Sequence, residues 1–393
     1  MNRRKIYIID ECIDRVGGVE RVICTLANKL VKDNDVTIIS ENKSRITPFY
    51  TYDKKVKIKY LDDKFVIKSS SLKNKNFIYY FYKVIEKINK KIIINYKIKK
   101  VAKELEIADV VVFGRVFTAL DFLKYINKKN NTKIIVRDAI NLEYYSKKTK
   151  LEIKKYFKGK IDYLIASSDE SINIYKEFFG DNEINILKIY NPLGIVPKKG
   201  FSYNNKKVVS IGRLDVQKGF DYLIEAFFIV LKKHKDWKLE IYGDGNEKDN
   251  LLSLINELNL ENNISILPSN KDVVNILNNS SIFVLPSRYE GYANILVESL
   301  SCGVPSISYN WMTGVEEIIQ NNKTGIIVNL QNRIDYFYNK NKNSKDIINL
   351  ANAINYLIEN EEVCNKFSNE SIKITNTRDS DLIIEQWLNL IKN

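Results

Sequence analysis

The sequence predicts an α/β protein built on two doubly wound parallel sheets. Short runs of β-branched and apolar residues, typical of strands, alternate with longer segments of helical period along most of the chain. The alternation breaks once, at the Pro- and Gly-containing stretch 191–205, and then starts again. Strands that alternate with helices form parallel sheets covered on both faces. The two series therefore predict two domains, each with its own sheet.

The first series predicts an N-terminal domain over residues 1–190. Helical patterns occur between its strands, among them Val19–Lys32 and Leu72–Leu105. Its apolar runs predict strands at Lys5–Ile9, Asp35–Ser40, Val110–Phe113, Lys133–Arg137, Tyr163–Ala166 and Ile184–Tyr190.

The second series follows the predicted linker, residues 191–205, and predicts a C-terminal domain over residues 206–379. After Gly325 the chain is expected to become helical. Asp379-Ser380-Asp381 supplies N-cap candidates for a last amphipathic helix, Leu382–Ile391, within residues 380–393. The strands of this domain are predicted at Lys207–Ile211, Lys238–Tyr242, Ile264–Leu267, Ile282–Leu285 and Ser306–Ser308.

Two doubly wound domains joined by a short linker are expected to face each other across a cleft. In such sheets, ligands bind beyond the carboxyl ends of the strands. The active site is therefore expected in the cleft, on the loops that follow the strands.

Composition narrows the function classes. The net charge of +14 suits a nucleic acid, a membrane surface or an anionic substrate. Four scattered cysteines, without a CxxC pair or nearby histidines, argue for a reducing compartment and against a structural zinc site. Asp10 and Glu11 end the first apolar run too early for a signal peptide, and no run approaches the ~18 residues of a bilayer span. A cytoplasmic or surface-bound protein is expected.

The stretch VVSIGRLDVQKGFDYLIEAF, residues 208–227, predicts a diphosphate site. A strand ends at Ile211, Gly212 turns the chain, and a helix starts near Gln217–Gly219. Arg213 and Lys218 thus lie beside a strand end and a helix N-terminus, where backbone N–H groups already favour an anion. A guanidinium can bind phosphate oxygens bidentately, and a lysine adds a point charge.

The stretch VLPSRYEGYANILVESLSCGVPSI, residues 284–307, predicts a site for a diol. Glu290 falls in the loop after a strand, and Glu298 falls about one turn inside the helix predicted from Asn294. A carboxylate accepts hydrogen bonds from two vicinal hydroxyls, as in a sugar or a ribose. The N–H groups from Gly291 to Ala293 precede the helix and are available to oxygens.

A third stretch, DECIDRVGGVERV, places Gly17-Gly18 between the first strand and the first helix. Glycines there allow the backbone to approach a ligand closely, although a simple turn has the same pattern. No GxxxxGK[ST] motif occurs. The Asp379–Asp381 pair is interpreted as a helix cap, so no carboxylate pair is left to hold a metal on a diphosphate. A metal-independent reaction is expected, without a cofactor.

These motifs together resemble the family-four retaining glycosyltransferases of the GT-B fold, of the bacterial cell-surface polysaccharide type. The GRL…QKG and E-x7-E motifs are specific only in combination. The resemblance covers nearly the whole chain and is carried by Gly17-Gly18-Val19-Glu20-Arg21, Asn191-Pro192, GRLDVQKG, Gly243-Asp244-Gly245, the Glu290 and Glu298 pair, and Gly325.

The resemblance implies a hexosyl transfer with retention from a nucleotide-diphosphate sugar, with a UDP-sugar as the expected donor. The acceptor would be a saccharide or a polyprenyl-diphosphate-linked oligosaccharide, in capsule, exopolysaccharide or lipopolysaccharide synthesis. Arg213 and Lys218 would hold the diphosphate, Glu298 the ribose, and Glu290 would orient the donor sugar. The last helix, with Trp387, would return to the N-terminal domain. The other predicted substrate-binding residues are Gly17, Gly18, Asp138, Gly243, Tyr289, Gly291, Tyr292, Ala293 and Asn294.

One departure from the family concerns the N-terminal domain. Many relatives carry a donor-contacting histidine at the end of the strand that is here Ile134–Val136. The one histidine of this chain, His234, falls in the Lys-rich segment LKKHKDW, where a surface position is expected. Arg137 and Asp138 occupy the histidine's neighbourhood, and they either replace its polar contacts or mark a different geometry.

The segment Tyr52–Lys103 interleaves lysines with aromatic residues. This pattern suits an interfacial helix on anionic lipid, and equally a core-facing aromatic helix with a solvated lysine face. A lipid-linked acceptor favours the membrane interpretation, so a peripheral position on the inner face of the plasma membrane is expected. No nucleic-acid recognition module is visible.

Two other functions would use the same predicted residues to bind a sugar nucleotide. A sugar-nucleotide epimerase needs acid and base groups flanking the sugar, and the N-terminal domain offers few beyond Asp138 and Glu143. A non-catalytic sugar-nucleotide-binding subunit of a transferase complex is compatible with the missing histidine.

Overall fold

The structure is a computed structural model that describes residues 3–63, 92–128, 131–180, 184–311, 314–331 and 344–392. The chain divides into two compact units. The first unit contains residues 1–166, 172–189 and 384–393, and the second contains residues 167–171 and 190–383.

The first unit is built on a parallel sheet of seven strands in the order β3-β2-β1-β4-β5-β6-β7. Every residue of the central strand β4 is buried, as expected for a sheet with helices on both faces. The strands are β1 (Lys5–Asp10), β2 (Asp35–Asn42), β3 (Lys57–Asp62), β4 (Val110–Phe113), β5 (Lys133–Arg137), β6 (Tyr163–Ala166) and β7 (Asn185–Lys188). The helices are α1 (Gly18–Leu30), α2 (residues 92–105), α3 (Val116–Leu123), α4 (Lys147–Phe157) and α5 (Asp169–Phe179).

The second unit is built on a parallel sheet of six strands in the order β10-β9-β8-β11-β12-β13. The strands are β8 (Lys207–Ile211), β9 (Lys238–Tyr242), β10 (Ile264–Leu267), β11 (Ile282–Leu285), β12 (Ser306–Tyr309) and β13 (Gly325–Val328). The helices are α6 (Phe220–Leu231), α7 (Lys248–Glu257), α8 (Val273–Asn278), α9 (Asn294–Ser301), α10 (Ser344–Glu359), α11 (Glu361–Ser371), α12 (Thr375–Arg378) and α13 (Ser380–Lys392).

The last helix, α13, is divided between the units, because residues from 384 onward belong to the first. Its terminal carbonyl groups accept hydrogen bonds from first-unit side chains. The Arg4 guanidinium donates to the carbonyls of Ile391 and Lys392, and the Lys133 ammonium donates to the carbonyl of Leu390 at 2.8 Å. Such cationic donors satisfy the carbonyls that have no partner within the helix. Trp387 on this helix is fully buried.

The strand order reverses once in each sheet, between β1 and β4 in the first unit and between β8 and β11 in the second. Ligands of doubly wound sheets bind outside the carboxyl ends of the strands at this switch point. In the second unit, β8 ends at Ile211 and β11 ends at Leu285. The two motif stretches found in the sequence therefore follow the two strands that flank the switch point.

The predicted fold class is confirmed, and all eleven predicted strands agree with observed strands to within two residues. Two strands were not predicted. β3 alternates lysines with apolar residues at the edge of its sheet, where charged side chains are common and the apolar signal is weak. β13 makes the expectation of helix directly after Gly325 wrong. The first part of the predicted helix Leu72–Leu105 lies outside the described residues, and residues 92–105 are helical.

Three smaller features also bear on the predictions. His234 follows the end of α6, and its imidazole Nε2 lies 3.1 Å from Oε1 of Glu359. All four cysteines are buried free thiols. Within the described part of the chain, no helix is both long enough and apolar enough to cross a membrane.

Candidate functional site

The turn after β8, residues 212–219, is held in place by the loop after β9. The N–H of Gly212 donates to the carbonyl of Tyr242, and the N–H of Leu214 donates to the carbonyl of Asp244, each at 3.0 Å. This approach leaves no room for side chains on the neighbouring glycines. A Cβ at Gly243 would lie 1.9 Å from the carbonyl oxygen of Gly212, and one at Gly245 would lie 2.1 Å from that of Leu214. The Gly243-Asp244-Gly245 motif therefore shapes the turn that carries Arg213 and Lys218.

The loop after β11, residues 286–293, is joined to the same turn. The N–H of Arg288 donates to the carbonyl of Gln217 at 2.8 Å, and the Gln217 amide donates to the carbonyl of Tyr289 at 2.9 Å. The Arg288 guanidinium binds both carboxylate oxygens of Asp221 on α6, at 3.0 and 2.8 Å. Bidentate pairs of this kind fix orientation as well as distance. The two motif stretches are thus held together by hydrogen bonds at the switch point of the second sheet.

Lys218 and Glu290, predicted from separate motifs, form an ion pair. The Lys218 ammonium lies 2.5 Å from Oε1 of Glu290, and the side chains are only 15% and 9% exposed. The Ser287 hydroxyl donates to the same carboxylate oxygen at 2.6 Å. Gly219, at φ +65°, follows Lys218 and adopts the left-handed conformation that favours glycine before α6 begins. The structure therefore brings one predicted cation and one predicted carboxylate together.

Arg213 has a different environment from Lys218. Its side chain is 55% exposed and forms an ion pair with Asp215 two residues later. A weaker contact, 3.4 Å, joins its guanidinium to the Gln217 side-chain oxygen. The arginine therefore lies at the surface of the turn, where a ligand can reach it.

The residues after Glu290 lead into α9. Ala293 is the N-cap residue of that helix, and its carbonyl accepts from the N–H groups of Leu296 and Val297. The Asn294 side-chain oxygen accepts from Asn191 at 2.8 Å, and the Tyr292 hydroxyl accepts from Arg378 at 2.7 Å. Glu298, the fifth residue of α9, is buried. These contacts fix the loop without using the residues predicted to bind the diphosphate.

In the first unit, the loop between β1 and α1 is held mainly by residues that follow β2. The Asp14 carboxylate accepts from the Cys12 thiol and from the N–H groups of Ser44 and Arg45, at 2.9 Å each. Burial alone would raise the pKa of Asp14, but the hydrogen bonds, the one from Cys12 first, outweigh it and lower the pKa. The Tyr50 hydroxyl donates to the carbonyl of Gly17 at 3.1 Å. Gly17 is the N-cap of α1, which starts at Gly18, as the sequence predicts.

Arg115, which follows β4, connects the two ends of that loop. Its Nε donates to Oδ1 of Asp10 at 3.0 Å, and its Nη2 donates to Oε1 of Glu20 at 2.5 Å. Burial disfavours the charged form of Arg115, but the two carboxylates outweigh it and raise the pKa of the guanidinium. Burial raises the pKa of Glu20, which Arg115 partly opposes. A Cβ at Gly17 would lie 2.2 Å from Oε2 of Glu20, so a glycine leaves this carboxylate its space.

Arg137 and Asp138, the residues near the expected histidine position, are buried. Burial lowers the pKa of Arg137 to about 10. Oδ1 of Asp138 accepts from the N–H groups of Ile140 and Asn141 at 3.1 and 3.2 Å, and from the Tyr145 hydroxyl at 3.0 Å. Burial raises the pKa of Asp138 despite these bonds. This carboxylate oxygen is thus engaged by the turn that follows β5.

Sequence reasoning missed Arg115, Asp10 and Arg378. Arg115 and Arg378 lie in no motif, and Asp10 opens the stretch DECIDRVGGVERV without a role that the sequence predicts. Each acts through a partner distant in the chain. A usable signal existed for Arg115, because Gly114-Arg115 comes directly after a predicted strand. A Cβ at Gly114 would lie 2.9 Å from Oδ1 of Asp10, which identifies a close approach there.

Comparison with known proteins adds to this geometry. Residues 195–374 match the family model described as glycosyl transferases group 1. The chain is 28% identical over 391 residues to an uncharacterized glycosyltransferase of Haemophilus influenzae, which covers 99% of this chain and all of that protein. It is 25% identical to the amylovoran biosynthesis glycosyltransferase AmsD of Erwinia amylovora, covering 98% and 99% of the two chains.

A third relative is an α-1,4-N-acetyl-D-galactosaminyltransferase of Campylobacter jejuni, whose name specifies a GalNAc-containing, undecaprenol-diphosphate-linked acceptor. It is 25% identical to this chain and covers 95% of both.

Two solved structures share the fold. One is a mutant of S. aureus TarM in complex with fondaparinux, alpha-GlcNAc-glycerol and UDP, with a TM-score of 0.74, 16% identity, and 99% and 100% of the two chains covered. The other is Anabaena HepE in complex with UDP and glucose, with a TM-score of 0.70, 16% identity and full coverage of both chains. The chain therefore has the two Rossmann-like units of the GT-B fold and is related over nearly its full length to proteins named as glycosyltransferases.

Proposed function

We propose that this protein transfers a hexosyl group, with retention, from a UDP-sugar to a saccharide or polyprenyl-diphosphate-linked acceptor in cell-surface polysaccharide synthesis. The observation that carries the proposal is the joining of the 212–219 turn and the 286–293 loop at the switch point of the second sheet. Arg213 and Lys218 lie on the turn, and Glu290 lies on the loop. The proposal is supported by UDP in the TarM and HepE complexes and by the undecaprenol-diphosphate acceptor named for the Campylobacter relative.

In the proposed reaction, the bond between the anomeric carbon and the diphosphate oxygen breaks, and negative charge grows on the departing diphosphate. Cationic groups aimed at this charge contribute most to the rate. Lys218 and Arg213 fill this role. The diphosphate competes with Glu290 for the Lys218 ammonium, and the released Glu290 carboxylate accepts a hydrogen bond from a donor-sugar hydroxyl.

The acceptor hydroxyl attacks the anomeric carbon on the face that the diphosphate leaves, which retains the configuration. A leaving phosphate oxygen takes the hydroxyl proton, so no protein nucleophile is needed. Glu298 and the N–H groups from Gly291 to Ala293 bind the ribose and the donor phosphates, and Tyr289 and Asn294 border them. We assign Gly17 and Gly18 to the acceptor and the phosphates, and Asp138 to substrate binding at the place where many members of the resembled family carry a donor-contacting histidine.

We also propose that the reaction needs no metal ion, because Arg213 and Lys218 supply the positive charge at the diphosphate. Turnover with purified protein should be the same before and after exhaustive treatment with a chelator. Loss of turnover that only an added divalent cation restores would contradict this part of the proposal.

A peripheral position on an anionic membrane at the cytoplasmic face completes the proposal. On α2, Ile98 and Val101 are buried, whereas Ile92, Ile93 and Tyr96 are exposed. Exposed lysines at 99, 100 and 103 continue the exposed face. An apolar and basic surface of this kind binds anionic headgroups. Co-sedimentation should increase with the anionic lipid content of vesicles, and binding independent of that content would refute this element.

A screen of nucleotide sugars by thermal shift, followed by product analysis, tests the central proposal. A UDP-sugar should raise the melting temperature, and an acceptor should then receive the sugar with its anomeric configuration retained. Epimerisation of the donor without acceptor would identify an epimerase instead. Donor binding without turnover, on any saccharide or lipid-linked acceptor tried, would favour a binding subunit.

A further inference from the structure

Arg378, the last residue of α12, is a buried arginine outside every predicted motif. The residue is 4% exposed. The guanidinium carbon lies 3.4 Å from the centroid of the Tyr190 ring, which is a close cation–π contact. A buried guanidinium needs such partners, because desolvation of an unpaired charge is very costly.

The hydrogen bonds of Arg378 lead to the loop that follows Glu290. Its Nε donates to the Tyr292 hydroxyl at 2.7 Å, and its Nη2 donates to the carbonyl of Glu317 at 3.2 Å. The Tyr190 and Tyr292 ring centroids lie 5.9 Å apart. Burial raises the pKa of the Tyr292 hydroxyl to about 12, so it is protonated and accepts from Arg378 through its lone pair.

Glu317 extends the same cluster. Its Oε2 accepts from the Tyr190 hydroxyl at 2.8 Å, and its Oε1 accepts from the N–H of Asp169 at 2.6 Å. Asp169 and Tyr190 lie within three residues of places where the chain passes between its two units, and Arg378 precedes the next such place by five residues. The cluster therefore joins segments distant in sequence to one short loop of the second unit.

We propose that Arg378 is a positioning residue that sets the loop Glu290–Asn294 for donor binding. The inference rests on the proposed function, because it assumes that this loop contacts the donor. Arg378 holds Tyr292 through its hydroxyl. Asn191, next to Tyr190, holds Asn294 at the other end of the loop. The N–H groups of Gly291 to Ala293 lie on either side of the Tyr292 attachment and before the Asn294 attachment, so their direction depends on both.

Arg378→Met and Arg378→Lys are the variants to test, with UDP as the probe of the donor site. Methionine keeps most of the length and removes the hydrogen bonds. We expect UDP binding by calorimetry to weaken about tenfold or more in Arg378→Met, as the loss of charge-assisted hydrogen bonds predicts. The KM for the donor should rise in parallel, whereas the KM for the acceptor should stay unchanged. Arg378→Lys keeps the charge and should restore part of the affinity.

Tyr292→Phe separates positioning from general structural damage. The variant removes one hydroxyl and should weaken UDP binding in the same direction. If Arg378 acts through Tyr292, the double variant binds UDP no more weakly than Arg378→Met alone, because the two changes remove the same interaction. Additive losses in the double variant would overturn the proposed route through Tyr292.

Lys373→Met is the matched control, since Lys373 is an exposed cation close in sequence that pairs with Glu370. It should bind UDP like the wild type. If wild-type protein binds UDP and folded Arg378→Met binds it equally well, the inference is overturned and the proposed function stands. If no nucleotide binds to the wild-type protein, the proposed function itself fails. Should Arg378→Met not fold, Arg378→Lys and Tyr292→Phe carry the same comparison.

Discussion

The ammonium of Lys218 lies 2.5 Å from Oε1 of Glu290, so two residues with different expected ligands are bound to each other. A lysine so placed is less available to a phosphate, and a glutamate so placed is less available to a sugar hydroxyl. A donor that supplies both a diphosphate and a sugar can replace both halves of the pair at once. UDP, which lacks the sugar, replaces only one half.

This difference predicts the behaviour of Glu290→Gln. The neutral amide competes more weakly than the carboxylate for the Lys218 ammonium, so UDP should bind at least as tightly as to wild type. Turnover should fall, because the carboxylate that orients the donor sugar is gone. Calorimetry with UDP and steady-state kinetics with the donor measure the two effects. Weaker UDP binding would show that Glu290 does not compete with the diphosphate for Lys218.

The cations of the 212–219 turn should be needed mainly in the transition state. Lys218→Ala and Arg213→Ala are each expected to lower kcat by about 10²–10³-fold, because charge grows on the leaving diphosphate. Circular dichroism should show an unchanged fold. Lys206→Ala is a suitable control, as Lys206 is an exposed lysine of the same unit paired with Asp236. Unchanged turnover in a variant would remove that residue from the catalytic set.

Gly243→Ala should destabilise the protein by disturbing the 212–219 turn. Its Cβ would meet the Gly212 carbonyl oxygen at 1.9 Å, and a backbone atom cannot move aside alone. We expect a loss of about 3 kcal/mol in unfolding free energy, at the upper end for overpacking. Gly180→Ala is the comparison, because that position is open and only its φ of +80° costs about 1–2 kcal/mol. Equal losses of unfolding free energy in the two variants would show that the 212–219 turn adjusts to the added Cβ.

Arg115→Met should destabilise the first unit. The change leaves the carboxylates of Asp10 and Glu20 buried without their cation, and removing one partner of a buried ion pair costs about 3–5 kcal/mol. Arg3→Met, which removes an exposed pair with Asp35 and hydrogen bonds to the carbonyls of Val31 and Asn34, should cost no more than about 1–2 kcal/mol. Denaturant unfolding measures both. A loss in Arg115→Met no larger than in Arg3→Met would show that the buried carboxylates find other partners.

Glu41 predicts a pH-dependent stability. Burial, helped by Asp121 and Glu11, raises its pKa from 4.5 to about 8. Between about pH 4.5 and pH 8, Glu41 is therefore protonated in the folded state and ionised in the unfolded state. The stabilisation is complete below about pH 4.5 and is lost as the pH rises to about 8.

Glu41→Gln should remove this dependence. The variant should gain stability over wild type at pH 8 by a few kcal/mol, since one pKa unit corresponds to about 1.4 kcal/mol. Near pH 4.5 the two proteins should differ much less. Denaturant unfolding at both pH values makes the comparison. Parallel pH profiles for the two proteins would mean that Glu41 titrates normally.

The alternation of strand and helix patterns was sufficient to predict the fold class and the central strands. Central strands such as Val110–Phe113 are buried on both faces, so their apolar runs are continuous and easy to recognise. The edge strand Lys57–Asp62 carries lysines, because one edge and part of its surface meet water. Its periodicity was too weak to separate from a loop.

The candidate site was predictable where motifs are local. Arg213, Lys218 and Glu290 stand next to strand ends, and a strand end together with a turn residue can be read from sequence. The ion pair between Lys218 and Glu290 spans 72 residues, so only the folded chain reveals it. The same is true of Arg378 and Tyr292, 86 residues apart. Such pairings depend on how the elements pack, and packing between distant residues produces no repeating pattern in the sequence.

The carbonyls of Leu390, Ile391 and Lys392 receive hydrogen bonds from Lys133 and Arg4, so the first unit includes a helix made far later than its sheet. Ribosomes add ~5–20 residues per second, so about 10–40 s separate the synthesis of residue 189 from that of residue 384. Throughout this interval, the part of the first unit that later packs against the last helix is exposed. The unit made first is therefore the last to be completed, and a nascent chain stalled before residue 384 should be the form that chaperones bind.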